Sequence, residues 1–244
     1  MSKYPKITLA TAMTPDTPEH YAALVDQGVS TALVTVHMSE FAHYPAGAIH
    51  ARVARKAGMQ TCACLITDLK SPVIDARAFC TAIKNGVFTS NKVAIVALPL
   101  CEQKDAQKRL EELIQYVSCY VDQNDILVGL TKDCIDKHYF DIKRIKQNLM
   151  VVCSGTLNAG IDRTSVWLYE TKVDSEDAYL GYDYYGFFSD TSYQLTLDSE
   201  YIAQPGDSWV TIATCQGIWL PKLLELNGAQ YSQEVVPGQR IKIR

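Results

Sequence analysis

Short apolar runs alternate with amphipathic stretches along the amino-terminal part of the chain. Apolar runs bounded by turn residues predict strands, and apolar positions at intervals of three and four predict helices. The predicted strands cover residues 7–12, 31–36, 60–67, 92–98, 125–130 and 149–153. The predicted helices cover residues 17–27, 46–57, 75–84, 104–120 and 137–146. This regular alternation favours a parallel sheet that is covered by helices.

Three further strand-like runs, at residues 166–169, 179–184 and 193–197, follow without obvious helices between them. About eight strands in roughly 200 residues favour closure into a TIM-like β/α barrel over an open doubly wound sheet. No strand is followed by Gly-x-Gly-x-x-Gly or by a phosphate-binding loop, so the pattern indicates no nucleotide site. We therefore predict an α/β barrel domain over residues 1–199.

Residues 200–244 follow a different pattern, with a strand at each end and two short helices between them. Asp207 or Ser208 is well placed to cap the first helix, and Gly228 can end the second helix in the left-handed conformation. Trp209 and later apolar residues recur at helical spacing and can form a small core. The pattern predicts a separate α+β module in the order strand, helix, helix, strand.

This module carries Gly206-Asp207-Ser208, Leu226-Asn227-Gly228 and Pro237-Gly238-Gln239 in an order that resembles a LysM domain. The resemblance implies binding of peptidoglycan or another glycan that contains N-acetylglucosamine. It also implies that two loops border the glycan, one after the first strand and one after the second helix. The implied glycan-binding residues are Gly206, Asp207, Ser208, Trp209, Asn227, Gly228 and Ala229. For Trp209, packing in the small core is the favoured alternative.

Residues 5–200 contain short motifs of a second kind. Ser39-Glu40 ends the second predicted strand, Ala54-Arg-Lys-Ala-Gly58 ends the following helix, and Leu197-Asp198-Ser199 ends the last strand-like run. Together they resemble the glycoside hydrolase family 25 muramidases. The resemblance implies an irregular β/α barrel of the kind found in phage and bacterial lysins, which often carry a LysM domain.

Cleavage of a glycosidic bond normally requires two carboxyl groups. The resemblance implies an Asp-x-Glu pair at the end of the fourth strand and an Asp at the end of the first. Those positions fall on Ala97 and Pro99, and residues 7–12 contain no carboxylate. We therefore expect an inactive, degenerate barrel. If hydrolysis persists, the fallback catalytic candidates are Glu40, Asp68 and Asp198.

Aromatic residues concentrate near the end of the predicted barrel, where Trp167, Tyr182 and Tyr184 are candidates for lining a glycan cleft. Aromatic rings stack on the apolar faces of sugars, and tyrosine can also hydrogen-bond hydroxyl groups. Ordinary barrel packing is an equally supported interpretation, because alternation of this kind is typical of a half-buried strand. Contact with another protein is a third possibility.

Composition limits the partners of the chain. The formal net charge of −4 and the pI of about 5.7 provide no broad basic surface, so neither nucleic acid nor an anionic membrane is expected. No apolar run reaches the ~18 residues of a membrane helix, and the start lacks the apolar segment of a signal peptide.

Most of the eight cysteines lie in apolar patterns, which favours reduced thiols over disulfides. The spacing of His37, His43 and His50 does not place them on one helix face, and we expect neither a metal nor a cofactor.

Three functions remain open from the sequence. The favoured hypothesis is a peptidoglycan-binding protein of phage or prophage origin that is built on a degenerate muramidase barrel. The first alternative is an active endolysin with displaced carboxylates, and the second is a phage tail or baseplate component with protein partners. Each would be made in the cytoplasm without a signal peptide and would reach the cell wall after lysis, through a holin or within a virion.

Overall fold

The described part of the chain forms ten strands and seven α-helices, with one 3₁₀ turn at Gln123–Asp125. The computed structural model describes residues 4–39, 44–86, 88–99, 105–153, 164–173, 176–188, 200–203, 207–216, 218–236 and 239–243. The strands are β1 (Lys6–Ala10), β2 (Val29–Met38), β3 (Gln60–Thr67), β4 (Val93–Ala97), β5 (Ile126–Thr131), β6 (Asn148–Cys153), β7 (Thr164–Val173), β8 (Glu176–Asp183), β9 (Glu200–Ile202) and β10 (Arg240–Lys242). The helices are α1 (Pro18–Asp26), α2 (Ala46–Lys56), α3 (Pro72–Asn85), α4 (Ala106–Val117), α5 (Lys132–Asp136), α6 (Trp209–Gln216) and α7 (Leu220–Asn227).

Strands β1 to β8 close into one barrel in sequence order. Neighbouring strands from β1 to β7 are parallel. Strand β8 runs antiparallel both to β7 and to β1, and so closes the barrel in the opposite direction. The prediction of an irregular β/α barrel is confirmed. The antiparallel strand follows from the short β7–β8 connection, because a hairpin reverses the chain whereas a helical crossover does not.

Side chains alternate between the inside and the outside of the barrel along each strand. The inside holds a continuous apolar cluster that includes Leu9, Leu33, Cys64, Val96 and Leu168. The outward-facing residues pack against the helices in two further clusters. Near-continuous burial of both faces explains why the parallel strands contain runs such as Val-Ala-Ile-Val-Ala in β4.

The end of the barrel at which the parallel strands begin is closed by Phe187 and Phe188, which pack on the inner cluster. Asp183 holds them in place, since its two carboxylate oxygens accept hydrogen bonds from the Phe187 and Phe188 backbone N–H groups, each at 2.8 Å. Asp183 is completely buried. A buried charge must be hydrogen-bonded, and these two bonds meet that requirement for Asp183. Its role is therefore structural, at the closed end of the barrel.

Two caps show how local sequence sets the helix starts. Thr17, rather than its neighbour Asp16, caps α1 by accepting a hydrogen bond from the His20 N–H group, and Pro18 follows at the first helical position. Thr131 caps α5 by accepting from the Cys134 N–H group. Both are side-chain caps of the usual kind.

The predicted helix over residues 137–146 is wrong. Helix α5 starts directly after β5 and ends at Asp136, and His138 adopts a positive φ of 56° that stops it. Residues 137–147 then form turns, from which Phe140 and Ile145 pack into the outer cluster. Their spacing therefore reflects burial by a turn-rich segment and not a helical face.

Strands β9 and β10 pair antiparallel and enclose α6 and α7 in a second unit with its own core. The predicted order of strand, helix, helix, strand is confirmed. The predicted strand at 193–197 lies outside the described residues, as does the end of the predicted barrel domain at residue 199.

Within the described residues, no helix is long and apolar enough to cross a membrane. Among the described cysteines, Cys64, Cys80, Cys119 and Cys134 form no disulfide. Of these four, Cys119 is the exposed one, and burial raises the pKa of the Cys64 thiol inside the barrel.

Candidate functional site

The mouth of the barrel lies at the carboxyl ends of its parallel strands, where β/α barrels carry their functional groups. Four inward-facing residues pack against the inner cluster without being fully buried: Met38, Leu98, Val152 and Tyr179. Three of the four are apolar, and Tyr179 carries a phenol. At these four described positions the wall of the mouth therefore offers apolar contact surface and one phenol.

Strand β4 supplies no ionisable side chain to the mouth. The resemblance placed the Asp-x-Glu pair on Ala97 and Pro99, but Ala97 packs in the outer cluster against the helices. Its neighbour Leu98 packs against the inner cluster instead. Alternation along the strand thus makes Leu98, and not Ala97, the residue that faces the mouth. Residues 93–99 contain no carboxylate in either register.

Strand β1 is equally without charge at its mouth end. Leu9 faces the interior, and Ala10 packs outside the barrel against α1 and α2 residues. Thr11 ends the strand in a turn, where its N–H group donates to the Thr14 hydroxyl at 3.0 Å and its carbonyl accepts from the Thr14 N–H group at 3.1 Å. The place of a strand-one acid is therefore occupied by a self-contained polar turn.

Asp68 follows β3. Of the three fallback catalytic candidates, it is the one that lies among the described residues. Its side chain is buried to 8% residual exposure. One carboxylate oxygen accepts from the Lys70 N–H group at 2.9 Å, and the other lies 2.8 Å from the Lys70 ammonium group. Glu40 and Asp198, the other two fallback candidates, lie outside the described residues.

A buried polar network fixes the ends of β2 and β3 beside the mouth. Asp75, in the first turn of α3, accepts hydrogen bonds from the Ser39 hydroxyl at 2.6 Å and the Thr67 hydroxyl at 2.8 Å. Its other oxygen lies 2.9 Å from His37 Nε2. The Ser39 hydroxyl also accepts from the Asp68 N–H group at 3.1 Å. The network therefore connects α3 to the backbone that carries Asp68.

The charge state of Asp75 follows from this network. Burial by itself would raise the pKa of the Asp75 carboxyl, but the hydrogen bonds from His37, Ser39 and Thr67 outweigh burial and leave the pKa lowered. The carboxylate is consequently held in its ionised form. His37 pairs with Asp75 and not with Ser39, so the three residues do not form a serine nucleophile with an adjacent base.

Glu170 is a mouth carboxylate that the sequence analysis did not select. It continues the inward-facing series of Val166 and Leu168 along β7. Its Oε1 accepts a hydrogen bond from the Tyr179 hydroxyl at 2.9 Å. Strands β3 and β7 are four positions apart in the closed ring of eight, so Glu170 and Asp68 lie on opposite sides of the mouth. The two-residue period of inward-facing positions along β7 is the signal by which Glu170 could have been found in the sequence.

The aromatic residues predicted to line the cleft lie elsewhere. Trp167 and Tyr184 pack in the cluster between the sheet and the helices, and Tyr182 packs against it. Trp167 and Tyr182 are cross-strand partners whose stacked rings have centroids 6.2 Å apart. Trp167 and Tyr182 belong to the outward-facing series of β7 and β8, and Tyr184 follows directly after β8. The cleft assignment is therefore corrected to packing on the outer face of the barrel.

Two of the three histidines considered from the sequence, His37 and His50, have structural partners, and His43 lies outside the described residues. His37 pairs with Asp75, and His50 Nδ1 lies 2.9 Å from the Tyr21 hydroxyl in a buried contact. Burial lowers the pKa of His50. Among the residues that the structure describes, no three His, Cys, Asp or Glu side chains are grouped closely enough to hold a metal ion.

The loop before α6 is organised by two side chains of the predicted glycan-binding set. Ser208 caps α6, because its hydroxyl accepts from the Thr211 N–H group at 3.2 Å while the Thr211 hydroxyl accepts from the Ser208 N–H group at 2.7 Å. This reciprocal pair is a capping box in form. Asp207 instead accepts from the Tyr201 hydroxyl at 2.7 Å. Gly206, in the same predicted set, lies outside the described residues.

Two other residues of the predicted glycan-binding set, Trp209 and Asn227, make structural contacts within the domain. Trp209 is 2% exposed, and its indole N–H group donates to the Gln233 carbonyl at 2.7 Å. Asn227 donates to the Leu223 and Lys242 carbonyls and accepts from the Lys242 N–H group, at 2.7, 2.8 and 2.7 Å. Trp209 therefore offers no ring face to a sugar, which corrects its assignment, and the amide of Asn227 ties β10 to α7.

The loop after α7 begins with an αL residue, as predicted. Gly228 has a φ of 58°, its N–H group donates to the Glu225 carbonyl, and the Ala229 N–H group donates to the Leu224 carbonyl. This pair of bonds is a Schellman motif. Gly228 is exposed and Ala229 half-buried. The backbone of this loop is thus presented at the surface beside β10.

Residues 201–244 match the LysM domain family. This segment is a LysM domain. The match covers β9, α6, α7 and β10, and so includes both loops described above. A comparison with curated proteins finds no match for the chain.

The barrel is similar in structure to glycosyl hydrolases of family 25. The CTP1L endolysin superposes with a TM-score of 0.60 at 13% identity, over 75% of this chain and 68% of its own. A family 25 glycosyl hydrolase from Bacillus anthracis gives 0.57 at 14% identity, over 75% and 91%. The bacterial lysozyme from Streptomyces coelicolor gives 0.58 at 12% identity, over 75% and 94%. At these identities the likeness establishes the fold of the barrel and not its chemistry.

Proposed function

We propose that the protein binds peptidoglycan through its LysM domain and acts at the bacterial cell wall. The match of residues 201–244 to the LysM family is the observation that carries this proposal. The structural likeness of the barrel to lysozymes and an endolysin points to the same polymer. The domain would present the exposed backbone of Gly228, with Asp207 and Ser208 on the facing loop.

We also propose that the barrel does not cleave the glycan. General acid catalysis needs a group that can donate a proton at the scissile bond, and contributes ~10²–10⁴ in rate. The family resemblance implies acids at the positions of Ala97 and Pro99, and the residue between them, Leu98, packs against the inner cluster. Thr11 follows β1 in a turn that it forms with Thr14. Asp68 is paired with Lys70. These features support a barrel that retains the family fold and lacks the paired catalytic acids of its enzymes.

A sedimentation assay with insoluble peptidoglycan tests the binding proposal. Three forms are compared: the unmodified chain, Asp207→Ala, and Tyr201→Phe as the matched control. Tyr201→Phe removes the hydrogen bond to Asp207 but leaves the carboxylate in place. If Asp207 contacts glycan, Asp207→Ala should lower retention about 10- to 150-fold, as expected for loss of one hydrogen bond to a charged group. Tyr201→Phe should retain most binding. Failure of the unmodified, folded chain to sediment with peptidoglycan would contradict the proposal.

An active muramidase with displaced carboxylates is the second candidate, and it is favoured by the placement of Asp68 and Glu170 on opposite walls of the mouth. Release of reducing sugar from purified cell walls tests it directly. The candidate predicts turnover that falls at least ~100-fold in Asp68→Asn or Glu170→Gln. The same assay on Glu40→Gln and Asp198→Asn covers the remaining fallback acids. The absence of turnover by the unmodified chain would exclude this candidate.

A further inference from the structure

Two tyrosines join the barrel to the LysM domain. The Tyr4 hydroxyl donates to the Gln216 side-chain carbonyl at 2.9 Å, and the Tyr184 hydroxyl donates to the Thr214 backbone carbonyl at 3.2 Å. The two rings pack edge to face, with centroids 5.1 Å apart and planes at 85°. Both rings belong to or pack on the outer cluster of the barrel. The packing of the two rings in the barrel therefore fixes the positions of the two hydroxyl groups that bond to the LysM domain.

These tyrosines lie at the base of the barrel. Tyr4 comes just before β1, and Tyr184 comes just after β8, which runs antiparallel to β1. The Asp183 N–H group donates to the Pro5 carbonyl at 2.9 Å and holds the two segments together. The mouth is at the opposite end, because it is formed where β1 to β7 finish.

The LysM domain meets this base through the end of α6 that is remote from Asp207 and Ser208, the predicted glycan-binding residues of the loop before α6. Thr214 and Gln216 lie in the last turn of α6, whereas Asp207 and Ser208 precede its first turn. Eight helical residues separate these ends by ~12 Å. The segment after α7 returns to the start of α6, because the Gln233 carbonyl accepts from the Trp209 indole. The loop that carries Asp207 and Ser208 therefore lies at the end of α6 away from the barrel, together with the segment around Gln233.

We infer that this contact is a built joint that directs the Asp207–Ser208 loop of the LysM domain away from the barrel mouth, so that the two ends of the molecule face different glycan strands. A strand held in the LysM groove would not run into the mouth of the same molecule. What the groove binds rests on the proposed function, whereas the joint rests only on the tyrosine contacts.

Distance measurement between two labels tests the joint in the full chain. Met13, which is 90% exposed in the turn after β1, reports on the mouth, and Tyr231, which is 68% exposed and near Gln233, reports on the far side of the LysM domain. Each is replaced by an azide-bearing amino acid and spin-labelled, because thiol labels would also react with exposed Cys119. The helix rise and the height of the tilted strands together predict a narrow distribution centred beyond ~25 Å.

The double variant Tyr4→Phe with Tyr184→Phe removes both hydroxyls and keeps both rings. We expect it to broaden the distance distribution at least about twofold, while circular dichroism stays unchanged. Tyr116→Phe with Tyr120→Phe is the matched control, because both of these tyrosines are exposed on the helix side of the barrel, and it should leave the distribution unaltered. Gln216→Ala tests the same joint from the LysM side and should also broaden it.

Three results would overturn the inference: a broad distribution in the unmodified chain, a maximum shorter than ~20 Å, or an unchanged distribution in the double variant. Peptidoglycan sedimentation is measured on the same samples. A narrow, long distance without sedimentation would remove the proposed function and retain the joint. Sedimentation together with a broad distance distribution would remove the joint and retain the proposed function.

Discussion

Asp75 shows how one buried carboxylate can organise the rim of the barrel. It is 3% exposed and brings together side chains from β2, β3 and the residue after β2. A buried charge is stable only when several donors surround it, so the two hydroxyls and the imidazole are required as a set. The consequence is a rigid frame beneath Ser39 and Asp68.

Replacement of Asp75 by Asn should therefore destabilise the protein. We expect a loss of about 1–3 kcal/mol at pH 7, because the amide can accept fewer of the hydrogen bonds and carries no charge. Denaturant unfolding of the full chain measures this change. Asp133→Asn is the control, since the Asp133 side chain is 67% exposed, and it should change stability by less than ~0.5 kcal/mol.

The same variant should alter the pH dependence of stability. The pKa of Asp75 is lowered from the ordinary value of 3.8 in the folded state. The ionised carboxylate thus stabilises the fold fully above that ordinary value, and its contribution is lost as the pH falls below it and through the lowered pKa. The unmodified chain should lose stability in this range, and Asp75→Asn should lose less. Parallel curves for the two proteins would contradict the assignment.

At the scale of elements, the pairing of α7 with β10 depends on one side chain. Asn227 is the last residue of α7, and both the NH₂ group and the oxygen of its side-chain amide bond to backbone atoms. Two of these three hydrogen bonds are to Lys242 in β10. Strand β10 has only three residues and one neighbour, β9. A strand this short has few hydrogen bonds of its own, so the helix supplies a second attachment.

Asn227→Ala should weaken the LysM domain through its fold and not through lost glycan contact. We expect a loss of about 1–3 kcal/mol, measured by urea unfolding with fluorescence of the buried Trp209 as the probe. Peptidoglycan retention should recover when the variant is assayed at a temperature where it is fully folded. Persistent loss of retention in the folded variant would instead assign Asn227 to direct glycan contact.

Elements also reveal where local pattern and packing diverge. The segment 137–147 has apolar residues at helical intervals, yet it forms turns that deliver Phe140 and Ile145 to the outer cluster. Thr131 starts α5 immediately after β5, so the helix begins earlier than the apolar spacing indicated. Periodicity identifies which residues become buried, but a turn can bury the same residues as a helix.

At the scale of the whole molecule, cell-wall retention should depend on the LysM core and not on the barrel core. Leu223 is fully buried in the LysM core, and Leu113 is fully buried against the outside of the barrel. Replacing either by Ala should destabilise its own unit by about 2–5 kcal/mol. We expect Leu223→Ala to abolish sedimentation with peptidoglycan.

Leu113→Ala is the matched control for that experiment. It removes the same number of atoms from the other unit and should leave sedimentation unchanged while the LysM domain stays folded. Comparable loss of sedimentation in both variants would show that the barrel takes part in retention. Circular dichroism at the assay temperature establishes that each variant retains its remaining unit.

Local chemistry in the sequence was sufficient for the parallel strands β1 to β6 of the barrel, for the LysM elements and for the caps of the two LysM helices. Ser208 and Gly228 act through neighbours three to five residues away, so their roles can be predicted from spacing alone. The lack of a carboxylate on β1 and β4 is likewise a property of the sequence itself.

Tertiary structure alone decided which way the strand residues face and which end of the barrel they reach. Trp167 and Tyr182 became outer-face residues, Leu98 and Glu170 became mouth residues, and Tyr184 became part of the base. The physical reason is that alternation along a strand separates its residues into two faces without showing which face is inside the barrel. Only the pairing of strands and the closure of the sheet into a barrel distinguish an inside from an outside.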